Sequence, residues 1–254
     1  MTQILTLTTD FGLNDYYIGV VKGVVLSINP EITVVDINNN VEAHDILGAA
    51  INIKNSYKYF PKGTIHLVVV DPGVGGNRRP IIVKTMEYYF VGPDNGVFTF
   101  IYGENSYHAY EITNEKYFLD SISSSFHARD IFAPVCAHLT LIDESELLNE
   151  ELKNPVKLEI KGSKKKKDKI VGEVLYIDHF GNMITNIKND ELDINNEIMV
   201  GGISIGKVSS SYSSAEENQL LAIYGSSGFL EIAENQGRAI DKYDEKPIIE
   251  ILIK

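Results

Sequence analysis

The sequence holds a single cysteine, Cys136, among 254 residues. That excludes an internal disulfide and any zinc site built on thiolates. Cys136 stands in the apolar run 131–142, so a small buried side chain is the expectation, not a nucleophile. No apolar run reaches the roughly 18–20 residues a membrane helix needs. The opening stretch MTQILTLTTDFG lacks a basic n-region and a long apolar h-region. It therefore reads as a first strand rather than a secretory signal. Positive charge is scarce as well. Lys and Arg total 23 against 35 Asp and Glu, a formal net charge of −12. A nucleic-acid partner requires a basic footprint that this chain does not offer. The one basic cluster, residues 164–167 in GSKKKKDK, reads as a solvated hairpin tip. These absences point to a cytoplasmic protein with no membrane and no nucleic acid as partner. Its acidic field suits a neutral or cationic small molecule.

What is present is an alternation of strand and helix signals in the first part of the chain. Residues 4–8, 33–37, 65–70, 81–85, 89–91 and 109–112 read as strands. Residues 15–28 carry Tyr17, Val20, Val21, Val24 and Val25 at helical spacing and stop at Asn29-Pro30. Residues 44–60 and 131–142 read as further helices, which puts His44 and His138 on helices as packing residues. The run 65–70 is apolar throughout, as in a strand buried on both faces. Such alternation predicts an α/β domain with a largely parallel sheet over 1–150. An acidic segment, DESELLNEELKNP, follows. Beyond it come short β-rich segments: 156–160, 169–177, 197–200, 203–208, 220–224, 229–233 and 247–253. They predict a smaller β-barrel-like domain over 156–254.

Ligands of open α/β sheets sit beyond the carboxyl ends of the strands. Acids and glycines gather at those ends: Asp10 and Gly12 after the first strand, Asp71, Gly73, Gly75 and Gly76 after the third, and Asp94, Asn95 and Gly96 in GPDNG. The stretch VVVDPGVGGNRRP lacks the Gly-Lys-Ser/Thr of a phosphate loop, and its glycines miss the dinucleotide spacing. Spacing alone leaves two readings of it, a rigid turn tied by an Asp71–Arg78 ion pair or a working site. A carboxylate such as Asp10 can hold two ribose hydroxyls or cap the turn before the first helix. His127, in SSSFHARD, is a catalytic imidazole or a loop histidine. No H-x-x-x-H or similar metal spacing occurs. In YIDHFGNMITNI, Asp178, Phe180 and Asn182 set an acid, an aromatic face and an amide at one bend, either a base-stacking site or an ordinary turn. In IYGSSGFLEIA, Ser226 and Ser227 precede Gly228 and offer donors to a carboxylate.

TDFG, VDPGVG-x-x-RR, GPDNG, FHARDIFAP, IDHFGN-x-x-TN and SSGFLEIA occur in the order of a known family. The chain resembles the S-adenosyl-L-methionine hydroxide adenosyltransferases, relatives of enzymes that attack the same substrate with halide. The resemblance spans nearly the whole chain. It implies an α/β domain followed by a β-barrel-like domain, in homotrimers whose sites lie between subunits. It also implies hydrolysis of S-adenosylmethionine to adenosine and methionine, with no cofactor. The family's polar triad carries over to Asp71, Arg78 and His127. The halide enzymes are expected to have tyrosine at the position of Asp71. Resemblance further implies Asp10 on the ribose hydroxyls, Phe180 and Asn182 around adenine, and Asp178 on the methionine ammonium. Ser226 and Ser227 would meet its carboxylate, with Tyr224 as a further contact. Two departures stand out: Ser227 where a halide enzyme carries an arginine nearby, and Asn77 where a threonine is expected after Gly76. Two alternatives stand beside hydrolysis, a halide adenosyltransferase and a non-catalytic binder of adenosyl compounds. Arg79 has no assigned role.

Overall fold

A computed structural model describes residues 3–193 and 195–253. The chain divides into two compact units, Met1–Leu158 and Glu159–Lys254. In the first, β1 (Ile4–Thr9), α1 (Tyr17–Ile28), β2 (Thr33–Asn38), α2 (Ile46–Ser56) and β3 (Ile65–Val69) alternate. They are followed by β4 (Pro80–Thr85), β5 (Tyr89–Pro93), α3 (Thr99–Glu104), β6 (Tyr107–Glu111), α4 (Ala133–His138) and the short β7 (Glu150–Glu151). One sheet takes all seven strands in the order β2-β1-β3-β5-β4-β6-β7. Its β2-β1-β3-β5 half is parallel, and β4, β6 and β7 join by antiparallel pairing.

Every residue of β3 is buried, because helices cover both faces of the sheet. Leu5, Leu7, Leu67 and Val69 pack with α1 and α4 on one side. Val68, Val70, Val83 and Phe90 pack with residues of α2 and α3 on the other. At roughly 1.5–3 kcal/mol per buried aliphatic or aromatic side chain, these two layers hold the sheet. Cys136 is fully buried, and burial pushes its thiol well above the ordinary range. Among the described residues, no helix is long and apolar enough to cross a membrane.

The second unit comprises β8 (Lys164–Lys165), β9 (Lys169–Gly172), β10 (Val174–Ile177), β11 (Met183–Lys188), β12 (Glu197–Val200), β13 (Ile203–Gly206), β14 (Val208–Ser209), β15 (Leu220–Tyr224), β16 (Phe229–Glu234) and β17 (Ile249–Leu252). They form two five-stranded sheets, β10-β11-β16-β15-β14 and β13-β12-β17-β9-β8. Ile170, Met183, Ile187, Ile198, Leu230, Ile232 and Ile251 share one core. The pairing gives two open sheets rather than a closed barrel.

Several elements depart from the periodicity. The expected strand 169–177 breaks at Glu173, whose N–H goes to Asn186 Oδ1 at 2.8 Å, so that its two halves join different sheets. Residues 156–160 form no strand. The Val156 N–H donates to Asp94 Oδ1 at 2.7 Å and the Leu158 N–H to Thr99 Oγ1 at 2.8 Å, so side chains satisfy this extended backbone. The expected helix 131–142 is a turn of π-helix over Ala128–Phe132 followed by α4. α3 has no counterpart in the sequence reading. His44 lies outside α2, with φ at +70°.

Candidate functional site

β3 delivers Val70 and Asp71 to the carboxyl edge of the sheet. From there the chain makes two tight turns, Val74 N–H to Asp71 O at 3.2 Å and Gly76 N–H to Gly73 O at 3.0 Å. Gly75 has φ of +74°, and a Cβ on it would stand 2.1 Å from the Ser124 carbonyl oxygen. Only glycine lets this loop lie directly on the backbone of the 123–127 segment. The contact sets Arg78 and His127 face to face.

Arg78 donates to Asp71 Oδ2 through Nε at 2.9 Å and Nη2 at 2.6 Å. Both side chains are nearly buried, at 9% and 5% exposure. The guanidinium also lies 5.2 Å from the centre of the Phe132 ring. Its Nη2 is 2.8 Å from His127 Nδ1. Arginine has only donors, so Nδ1 accepts and the imidazole proton sits on Nε2. Burial and the adjacent Arg78 charge both hold His127 below the ordinary histidine range, consistent with a neutral ring. Asp71 Oδ1 is buried and has no hydrogen-bond partner among the described residues. The trio therefore offers one strong acceptor, Asp71 Oδ1, while the His127 ring is held between Arg78 and the Ser123 backbone.

The π-turn that carries His127 is fastened by Asp130, whose side chain is fully buried. Asp130 accepts from Ser123 N at 2.8 Å, Ser123 Oγ at 2.7 Å and Arg129 Nε at 2.5 Å. Burial opposes its ionisation, but these donors hold its carboxyl below the usual range. π-Turns of this kind cluster at functional sites.

Asp71 and His127 line a cavity of about 300 Å³ with Asp10, Phe11, Tyr17, His44, Val74 and Phe126. Asp10 Oδ2 accepts the His44 N–H at 3.0 Å, which leaves Oδ1 for a ligand. Phe11 and Tyr17 both pack edge-on against Phe126, at 5.8 and 5.2 Å between ring centres. The site thus has a polar floor and an aromatic wall, the usual make-up of a small-molecule pocket. Among the described residues, no three His, Cys, Asp or Glu side chains are placed to hold a metal.

In the second unit, Asp178 and Asn182 close one turn. Asn182 donates its N–H to Asp178 Oδ1 at 2.9 Å and its amide to Oδ2 at 3.0 Å. Phe180 stands 70% exposed at the tip. Tyr224 ends β15, and Ser226 and Ser227 lie in the β15–β16 turn, closed by Gly228 N–H to Gly225 O at 3.1 Å. Next to them a buried carboxylate, Glu231, accepts from Tyr212 Oη at 2.6 Å. Burial and the Asp178 charge raise its pKa.

The predicted residues therefore fall into two sets. Asp10, Asp71 and His127 line the cavity of the first unit, and Arg78 is bound to Asp71 and His127 beside it. Asp178, Phe180, Asn182, Tyr224, Ser226 and Ser227 occupy two turns of the second. The sequence reading missed His44, Phe126 and Asp130. The helical pattern over 44–60 runs into His44, which precedes α2 with φ at +70°. Phe126 and Asp130 flank His127, and that proximity was their only signal. Arg79 now has partners. It turns away from Arg78 and binds Asp94 Oδ2 through Nε at 3.0 Å and Nη2 at 2.5 Å.

Fold and site define a class: a three-layer α/β unit with a small-molecule pocket at the carboxyl edge of its parallel strands, followed by a β unit. Two family models match the chain, the SAM hydroxide adenosyltransferase N-terminal domain over residues 5–148 and the C-terminal domain over residues 172–249. The chain belongs to the SAM hydroxide adenosyltransferase family. It is 35% identical to the (R)-S-adenosyl-L-methionine hydrolase of Methanocaldococcus jannaschii, covering 97% of this chain and 96% of that one. A fluorinase of Nocardia brasiliensis is 25% identical over 99% of this chain and 96% of its own. A crystal structure of an uncharacterized conserved protein from Thermotoga maritima superposes with a TM-score of 0.89 at 36% identity, covering 99% of this chain and all 100% of the other.

Proposed function

We propose that the protein hydrolyses S-adenosyl-L-methionine to adenosine and L-methionine, with water attacking C5′ of the ribose. The observation that carries this reading is Asp71 Oδ1, a buried acceptor without a partner among the described residues, beside an Arg78–His127 pair. Relatives named (R)-S-adenosyl-L-methionine hydrolase support the substrate. The leaving group is a neutral thioether and needs no protonation, so only the nucleophile requires help. His127 Nδ1 is engaged by Arg78, which makes it a poor base. Asp71 Oδ1 takes the proton of the attacking water instead. As the water oxygen bonds to C5′, the C5′–S bond breaks and its electron pair neutralises the sulfonium. The proton passes from Asp71 to solvent. Arg78 holds Asp71 by its other oxygen, and His127 in turn braces Arg78. A buried carboxylate at this point disfavours an anionic nucleophile, which weighs against the halide reaction.

Asp10 binds the ribose hydroxyls in this reading. Phe180 stacks on adenine, and Asn182 borders it through the turn it shares with Asp178. Asp178 meets the ammonium; Ser226, Ser227 and Tyr224 border the methionine carboxylate. The substrate lies between subunits of a homotrimer, the first unit of one copy facing the second unit of another. The reaction uses no cofactor, and the enzyme works in the cytoplasm.

Incubation with S-adenosylmethionine in ¹⁸O-water, with and without excess chloride or fluoride, tests the reaction. Adenosine labelled at its 5′ oxygen is expected. Label in homoserine with release of methylthioadenosine, or 5′-halo-adenosine as main product, would sink the proposal. Asp71→Asn should lower kcat by about 100-fold or more with KM little changed. Asp10→Ala should chiefly raise KM.

A further inference from the structure

The GPDNG segment touches neither the cavity nor the trio, yet it grips both feet of the loop that carries Asp71 and Arg78. β5 lies between the two strands that bound this loop, parallel to β3 and antiparallel to β4. At its end, Asn95 donates its side-chain amide to the carbonyl of Val70 at 2.8 Å. Val70 is the residue before Asp71. Asp94 donates its N–H to the carbonyl of Arg79 at 2.8 Å. Its carboxylate, 1% exposed, binds the Arg79 guanidinium twice. Arg79 is the residue after Arg78. Two consecutive residues thus fix the two ends of an eight-residue excursion from outside it. Gly92 reinforces the arrangement, since a Cβ there would lie 2.3 Å from the Val68 carbonyl oxygen.

We propose that Asp94 and Asn95, with Arg79, are positioning residues for the Asp71–Arg78 pair, holding Asp71 Oδ1 in line for the attacking water. The proposal rests on the hydrolytic reading of that pair. A neighbour-in-sequence alternation performs the separation. Arg78 turns to Asp71 and His127, and Arg79 turns to Asp94. A loop free at either foot would let the Asp71 carboxylate shift relative to C5′, and displacements of about 1 Å can cost about 100-fold in rate.

Asn95→Leu removes the amide donor at similar volume. Asp94→Asn keeps an acceptor for Val156 and removes the charge facing Arg79. Each should lower kcat about tenfold or more and leave KM within about twofold. In an Asp71→Asn background, Asn95→Leu should cost nothing further in kcat, because it acts only through Asp71. Lys84→Met breaks the Lys84–Glu144 ion pair near the other end of β4 and should leave kcat unchanged. Arg79→Lys, which keeps the charge, should give a milder loss and serves if Asp94→Asn does not fold. A crystal structure of Asn95→Leu gives a readout independent of turnover, in which the Arg78–Asp71 hydrogen bonds lengthen or are lost. An unchanged pair there, an unchanged kcat, or a loss that adds fully to that of Asp71→Asn would overturn the proposal. If the wild-type protein does not turn over S-adenosylmethionine, the functional reading fails, and the crystal structure alone decides the positioning.

Discussion

His66 and His127 are both held neutral, by different surroundings. His127 faces a guanidinium at the cavity. His66 is fully buried on β3, its Nδ1 2.7 Å from Thr6 Oγ1 and its ring 5.1 Å from the centre of Phe90. Burial lowers its pKa from 6.5 to about 3. The unfolded chain therefore binds a proton below pH 6.5 that the folded chain refuses until about pH 3. Its contribution to stability is complete above that window and is lost as pH falls through it, by at most about 1.4 kcal/mol per pH unit. His66→Phe abolishes this linkage. At neutral pH the variant should be the less stable protein, since Thr6 loses its partner. As pH falls toward 4 its melting temperature should gain on the wild type, measured by calorimetry across the range. A constant difference would contradict the assignment.

Among the elements, the loop from Asp71 to Arg79 and the segment from Ser123 to His127 meet backbone to backbone. Gly75→Ala would force a Cβ onto the Ser124 carbonyl in a conformation that disfavours side chains. A loss of at least ~1 kcal/mol in stability is expected, with a fall in kcat, read by denaturant titration and steady-state kinetics. Gly73→Ala, where the nearest atom is Arg78 Cγ at an ordinary contact distance of 3.4 Å, should be much milder. The alternation of apolar runs made β1, β2, β3 and the α/β layer legible, because burial on both faces writes itself into sequence. Asp71, Arg78 and His127 were legible as a set through motif order, and their spacing alone could not separate an ion pair from a site. What stayed hidden depended on partners distant in the chain. Residues 156–160 are apolar enough for a strand, but Asp94 and Thr99 bind their backbone. The helix pattern over 131–142 gave no sign of a π-turn held by Asp130. Arg79 looked redundant beside Arg78 until Asp94 appeared opposite it.

At the scale of the molecule, the residues assigned to one substrate sit in two units, and the proposed trimer makes neighbouring copies complete each other. Mixing tests it. Asp71→Ala chains and Asp178→Ala chains should each be nearly inactive alone. After co-refolding at equal amounts, about one quarter of the sites should recover, since each needs an intact first unit and an intact second unit from different copies. A site confined to one chain would recover nothing, and sedimentation should give three times the 28.3 kDa chain mass. The contact of Gly75 with Ser124 has a wider consequence. It joins main chain to main chain, so no exchange of side chain at Ser124 can relieve or replace it. The mould of the site is thus cast in backbone, with Asp71, Arg78 and His127 set into the casting. A side chain in such a mould can be exchanged without recasting it.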